Sequence, residues 1–393
     1  MRHRGHVTIF STPEPDLEDQ LVLEQIHTFR SELADVLRVP RRWVGGLRRS
    51  MLARAIQGSN SIEGYDVKLD DAAAALDDEE ALSADDRTFA EIRGYRQALG
   101  YVLAMAKDPD FRLDVSAVRG MHFMMLSHDL TKSPGSYRPG AVYVHDEATG
   151  ENVYEGPPAE DLPDLVSELT DSLAAGGSAD PLVQAAMAHL NLVMIHPFRD
   201  GNGRMARALQ TLVLSRGGIG EPAFSSIEEW LGSNTEEYYA VLAATGAGAW
   251  HPERSAALWV KFNLRAHHIQ AQTVRRRYRE AGKLWQAFDE LIERHGLADR
   301  VADELFDASL GFRMRRATYV RRAGIEERTA TRDLARMTDL GLLRPVGETK
   351  GRHYVMGEAL ADVVQTALSK RDAIVDPYPE MRERLAAAPR PVH

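Results

Sequence analysis

HPFRDGNGRMAR, residues 196–207, sets a histidine, an aspartate, an asparagine between two glycines and three arginines side by side. Its flanks decide how it folds. The preceding run, AAMAHLNLVMI at 185–195, has helical periodicity, with Ala185, His189, Leu192 and Met194 or Ile195 near one face. A residue before proline is driven out of helical geometry, so Pro197 should end that helix at His196 in an extended conformation. A second apolar pattern, Met205, Leu209 and Leu212, starts beyond the glycines. Gly201 to Gly203 therefore sit at the mouth of a new helix, where free backbone N–H groups and the helix dipole attract anions.

The side chains in this stretch suit phosphate chemistry. Gly201 and Gly203 let the backbone approach phosphate oxygens, and Asn202 places an amide between them. Arg204 and Arg207, three apart, project to one side with planar donors for phosphate oxygens. Asp200 suits a divalent cation shared with those oxygens, and His196 can act as a general base near neutral pH. Gly201, Gly203 and Ala206 also satisfy a G-x-G-x-x-A dinucleotide pattern. That fingerprint needs a strand before it and a β-α-β unit around it, which the helical periodicity before His196 denies. His189 reads as a packed histidine, because no third metal-type residue is spaced to help it.

At every specified position the stretch resembles the Fic family signature H-x-F-x-D/E-G-N-G-R-x-x-R, and the resemblance extends over roughly residues 45–270. It includes a G-S-Y-R lead-in at Gly135 to Arg138 and the paired tyrosines Tyr238 and Tyr239. The resemblance implies transfer of AMP from ATP to a protein hydroxyl, with release of pyrophosphate. His196 would deprotonate a Ser, Thr or Tyr hydroxyl for in-line attack on the α-phosphorus, and Phe198 would anchor the loop. Asp200 would hold Mg2+, while Gly201, Asn202 and Gly203 would cradle the α- and β-phosphates. Arg204 would contact the inner phosphates and Arg207 the γ-phosphate. A Gly- and Pro-rich hairpin at about 137–155 resembles the family's flap, which registers the target segment by strand addition. Tyr238, Tyr239 and Trp230 are candidates for the adenine wall, against the alternative that aromatics so spaced belong to the core.

Upstream lies GSNSIEGY at 58–65. Ser59 and Glu63, four apart, share a helix face, and Gly64 is a natural terminator. The S-x-x-x-E-G pattern resembles the family's inhibitory helix, in the class that places it before the core. By resemblance Glu63 pairs with Arg207 and denies the γ-phosphate its clamp, because a carboxylate bound bidentate to a guanidinium takes the donors a phosphate would use. In some family members the same glutamate positions water for AMP removal, so both activities stay open.

Bulk properties frame this reading. The chain has 393 residues, 44% of them hydrophobic, a net charge of -10 and no cysteine. It is long enough for two or three domains, and the lack of cysteine fits a reducing compartment. No secretory leader or membrane-length apolar run is evident, so a cytoplasmic protein without a membrane partner is expected. The expected fold is mainly α: an N-terminal helical region over 1–110 with the inhibitory helix near 50–64, then a catalytic core over 111–280 with strands at 141–144 and 152–154. A separate helix is expected at 284–294, then a winged helix-turn-helix over 295–360 and a flexible tail over 372–393. Arg313, Arg315, Arg316, Arg321, Arg322, Arg328, Arg332 and Arg336, with Lys350 and Arg352 at the wing, suit DNA phosphates. Glu326, Glu327, Asp333 and Asp339 interrupt them, so DNA binding and protein docking stay open together. A nucleotide-responsive DNA-binding regulator is the rival to the enzyme; an intact His196 favours catalysis, because sensing phosphates needs no base. Whether the chain forms a homo-oligomer is left undecided by its sequence.

Overall fold

Asp16 opens the first helix with a capping box: its carboxylate accepts from the Asp19 N–H while the Asp19 carboxylate accepts from its own. The computed structural model describes residues 8–145, 152–219, 222–348 and 351–387. Helix α1 (Leu17–Leu37) is followed by α2 (Val44–Ile62), α3 (Leu69–Leu76), α4 (Asp86–Met105) and α5 (Val115–Leu126). Asp85 and Asp114 cap α4 and α5 by accepting an otherwise unpaired backbone N–H in the first turn. Gly64, at φ 81, stops the chain just past α2. Strands β1 (Tyr143–His145) and β2 (Asn152–Glu155) pair antiparallel, with an irregularity after Val144. Then come α6 (Leu162–Ala175), α7 (Pro181–Ile195) and α8 (Asn202–Arg216). Pro181 occupies the first turn of α7, where its missing N–H costs nothing, and Asp180 caps it.

One apolar cluster gathers Ile56 of α2, the α3 alanines, Ile92, Met121, Leu165, Leu192, Phe198 and Leu209. It runs unbroken across position 110, where the sequence places a boundary. Periodicity shows that a helix has an apolar stripe but not which helix covers it.

Helices α9 (Pro222–Ser225), α10 (Glu228–Ser233) and α11 (Thr235–Gly246) lead into α12 (Ala257–His295), 39 residues without interruption. Its length is roughly 58 Å. The expected break between 280 and 284 is absent. A single helical glycine costs only about 1 kcal/mol, and at Gly282 the neighbours Ala281, Leu284 and Trp285 are buried. Through Trp259 and Phe262 the first half of α12 joins one cluster, and through Trp285 and Phe288 the second half joins another.

That second cluster includes α13 (Ala302–Ser309), α14 (Arg316–Ala323) and α15 (Glu327–Asp339), the antiparallel pair β3 (Leu343–Val346) and β4 (His353–Met356), and α16 (Glu358–Ala367). The tail read as flexible docks instead. Tyr378 is buried and its hydroxyl donates to Asp19 at 2.7 Å, while Asp376 holds the Arg265 guanidinium through both carboxylate oxygens. Helix α17 (Met381–Ala387) follows, with Arg384 on Glu18. These partners lie too far away in sequence to leave a local pattern, and residues 388–393 fall outside the described ones. Among the described residues no helix is long and apolar enough to cross a membrane.

Candidate active site

His196 closes α7 in the left-handed region, at φ 49 and ψ 56, rather than in the extended conformation read from the sequence. Its N–H still reaches the Leu192 carbonyl at 3.1 Å, while Pro197 bars a further right-handed residue; the left-handed cap meets both demands. Asn202 fixes the loop beyond. Its Oδ1 accepts from the Phe198 N–H and its Nδ2 donates to the Phe198 carbonyl, both at 2.9 Å. The amide assigned to phosphates is thus committed to the loop, and the backbone at α8's first turn is what remains for an anion. Phe198 is fully buried and stacks on the His122 ring at 3.7 Å, so it anchors the loop. Gly201 caps α8 at φ 76.

The His196 Nδ1 lies 3.1 Å from the Val193 carbonyl, a contact that requires a proton on Nδ1 and leaves the lone pair on Nε2. Burial pushes its pKa down to about 4, against the opposing pull of that hydrogen bond. At pH 7 the imidazole is neutral with a fixed tautomer, the form a general base needs.

Two residues tie the hairpin to this loop. Arg138 is buried, and its guanidinium donates to the carbonyls of His196 at 2.8 Å, Gly140 at 2.5 Å and Pro157 at 2.5 Å. His122 accepts from the Gly135 N–H at 2.8 Å on Nδ1, which directs its Nε2 proton to the Asp200 carbonyl at 2.9 Å. Burial holds its pKa at about 4. Gly135 and Arg138 belong to the lead-in noted in the sequence; His122 carries no mark there.

The first two arginines of α8, Arg204 and Arg207, find separate acids. Arg204 donates to Glu91 at 2.5 Å, and Glu91 also binds Lys132 at 2.5 Å, whose ammonium reaches Asp200 at 2.7 Å. Burial opposes ionisation of Glu91, but the Arg204 and Lys132 charges hold its pKa down to about 2. Burial likewise works against Asp200, and the Lys132 contact with the Arg204 charge keeps it below the ordinary carboxylate value. Neither Glu91 nor Lys132 was legible: each stands far from the motif and reads as a solvated charge.

Arg207 donates through Nε to the Ser59 hydroxyl at 2.8 Å, and through Nη2 to the Ser59 carbonyl at 2.9 Å and to Glu63 at 2.6 Å. The expected pair is present, made by one nitrogen and one carboxylate oxygen rather than bidentate. Burial lowers the Arg207 pKa, yet the Glu63 charge outweighs it and holds the guanidinium protonated. The Glu63 carboxylate lies directly on Gly203, where an added Cβ would come within 2.4 Å of Oε1. A carboxylate therefore already occupies the anion-attracting start of α8. Each arginine keeps one buried nitrogen without a partner, Nε of Arg204 and Nη1 of Arg207.

The three aromatics take different places. Tyr238 is buried, with its hydroxyl 3.0 Å from His189 and its ring beside Trp259, and Trp230 packs on Phe262. Tyr238 is a core residue, and Trp230 packs half-buried against the same cluster with the Arg265 guanidinium over its ring. Tyr239 is 46% exposed and donates to the Ile62 carbonyl at 3.0 Å, next to Glu63. His189 is held by Gln210 at 2.6 Å, as a packed histidine should be. Among the described residues no group of three or more His, Asp or Glu is placed to hold a metal unaided.

Known proteins resemble this chain over part of its length. The chain is 28% identical over 239 residues to the protein adenylyltransferase fic-1 of Caenorhabditis briggsae, covering 60% of this chain and 44% of that protein. It is 32% identical over 168 residues to the protein adenylyltransferase Fic of Nematostella vectensis, covering 42% of this chain and 38% of that one. The match thus spans less than half of either relative. The crystal structure of a Fic family protein from Desulfovibrio desulfuricans shares the fold, with a TM-score of 0.55 at 24% identity over 88% of this chain and 98% of that one. Residues 112–214 match the Fic/DOC family. Those residues include His122, the hairpin with its Arg138 anchor, and the whole loop from His196 to Arg207, so the similarity to the Fic/DOC family covers the candidate site.

Proposed function

We propose that this protein transfers AMP from ATP to a Ser, Thr or Tyr hydroxyl of a target protein, and of itself, releasing pyrophosphate. The observation that carries this reading is a neutral His196 with its Nε2 free, set beside a helix N-terminus flanked by two buried arginines that each retain an unpartnered N–H. The target hydroxyl would give its proton to Nε2 as its oxygen attacks the α-phosphorus; the bond from that phosphorus to the bridging oxygen breaks, and pyrophosphate leaves. Backbone N–H groups at the start of α8, with Arg204 and Arg207, would take the charge that develops.

Mg2+ fits Asp200. The ion is commonly held by one or two carboxylates completed by substrate phosphate oxygens, and Asp200 is a single carboxylate, 37% exposed. Bound there, Mg2+ would neutralise phosphate charge. Lys132 would exchange its contact with Asp200 for the nucleotide. The target segment would add to the outer edge of β1, which pairs only with β2 among the described residues.

Glu63 acts as a brake in this reading. Its carboxylate occupies the surface of Gly203 and one nitrogen of Arg207, so a γ-phosphate meets a like charge where it needs a clamp. A charge-assisted hydrogen bond is worth about 1.5–3 kcal/mol, which corresponds to roughly tenfold to hundredfold in occupancy of the productive pose. The test is to incubate Glu63→Gly with each nucleoside triphosphate and read the intact mass. An AMP adduct with ATP supports the proposal; a bare phosphate adduct, or no adduct, overturns it.

A further inference from the structure

We infer that the outer face of α15, with the hairpin β3–β4, is a binding surface for double-stranded DNA. This goes beyond AMP transfer and does not rest on it. Apart from Arg300, which binds Asp333, and Arg316, which faces Glu327 at 3.6 Å, the arginines of the C-terminal module fall into two sets. In the first, Arg313 donates to Asp70 at 2.5 Å, Arg315 to the carbonyls of Glu80 and Ala81 at 3.1 and 2.9 Å, Arg321 to Glu79, and Arg322 to Asp307 at 2.5 Å. Three of these clamp the module to the acidic segment that begins with α3, and all four have given their donors to oxygens of the chain.

The second set is Arg328, Arg332 and Arg336 on α15, Arg344 on β3 and Arg352 just before β4. All five are exposed, and among the described residues none of their guanidinium groups has a hydrogen bond or ion pair. The α15 trio recurs every four residues and so forms one stripe, roughly 12 Å long. The opposite face of α15, Ala330, Leu334 and Met337, is buried, so the stripe points away from the protein.

Helices α14 and α15 meet through Gly324 at φ 62, and the hairpin follows α15. A second helix so presented, beside a two-stranded hairpin, is the arrangement that lays a helix in a DNA groove. The B-form major groove is about 12 Å wide and admits a helix, while the A-form groove is too deep and narrow, which selects DNA over duplex RNA. Protein interfaces centre on apolar and aromatic side chains; Thr331 and Ala335 are the uncharged exposed residues among the arginines here. Exposed Glu326, Glu327 and Asp339 flank the stripe, and the net charge of -10 opposes approach at long range. Binding should therefore be weak and steeply salt-dependent.

The experiment is fluorescence anisotropy of a labelled mixed-sequence DNA duplex with the full chain over a salt series. The triple variant Arg328→Ala/Arg332→Ala/Arg336→Ala should bind at least tenfold more weakly, with the slope of log affinity against log salt reduced by about three. Alanine is favoured on an exposed helix face, so folding is preserved, which a melt will verify; Arg332→Glu gives an independent single change. Arg87→Ala, on α4, should bind as wild type, and the triple variant should keep any self-labelling, which separates this inference from the proposed transfer. No anisotropy change at low salt, equal affinity of the triple variant, or equal affinity for duplex RNA overturns it.

Discussion

The start of α8 and the α14–α15 module are both rich in arginine, and they use it in opposite ways. At α8, Arg204 and Arg207 are buried, each held by an acid from a distant helix, Glu91 of α4 and Glu63 at the end of α2. In the module, half-exposed arginines clamp the unit to an acidic segment while others stand in solvent with no ion pair among the described residues. A guanidinium in the interior must be paired because desolvation is costly, so its partner defines its role. At the surface pairing is optional and contributes little, so the unpaired residue carries the functional signal.

Several variants would break or sharpen that contrast. The largest effect is expected for His196→Ala, which should lower transfer by about a hundredfold to ten-thousandfold, the usual range for a lost general base, while leaving ATP binding intact. In the Glu63→Gly background the acid limb of kcat/KM should lie near the folded value of about 4, since His196 is neutral above it. A limb close to 6.5 would mean that His196 acts in a site open to water, because burial is what lowers its value.

Glu91→Gln comes next. It leaves Arg204 and Lys132 without their shared acid, at about 3–5 kcal/mol of stability, the cost of breaking a buried pair, read as a fall in the urea midpoint. The folded pKa of Glu91 is depressed from 4.5 to about 2, so its contribution is fully present above pH 4.5 and lost as pH falls toward 2. The variant should show a flatter acid limb over that window. An unchanged midpoint would mean that interior pairing at α8 matters no more than pairing at the surface.

Glu63→Gly should raise self-labelling by roughly tenfold to hundredfold. Equal labelling of wild type and variant would show that the Arg207 contact is no brake. Within the module, Arg322→Ala, which removes a partner of the nearly buried Asp307, should cost about 1–3 kcal/mol, whereas Arg332→Ala should stay within about 0.5 kcal/mol. Equal melting temperatures for these two would erase the division between clamping and free arginines.

The site was legible where its chemistry is contiguous. Twelve residues from His196 to Arg207 place a helix end, a tight loop and a helix start in succession, and each step follows from local rules: proline after histidine, glycine at the turn, apolar spacing beyond. Ser59 and Glu63 were legible because a short pattern at helical spacing precedes a terminating glycine; their contacts with Arg207 were expected from the family resemblance alone, and the structure holds them. Asn202 shows the limit. The sequence offers an amide, but only packing determines that Phe198 takes both of its hydrogen bonds.

What the tertiary structure alone decided are the long-range pairings. Glu91 and Lys132 join the site from other elements, Arg138 threads three carbonyls of the hairpin and loop, and Tyr378 reaches Asp19 across 359 positions. The same holds for the continuous α12, for the burial of Tyr238, and for which arginines of the module are engaged. Helix caps and the anion-attracting start of α8 depend on residues a few positions apart, so a single sequence determines them. The partner of a buried charge depends on which elements the core brings face to face, and no local spacing encodes that.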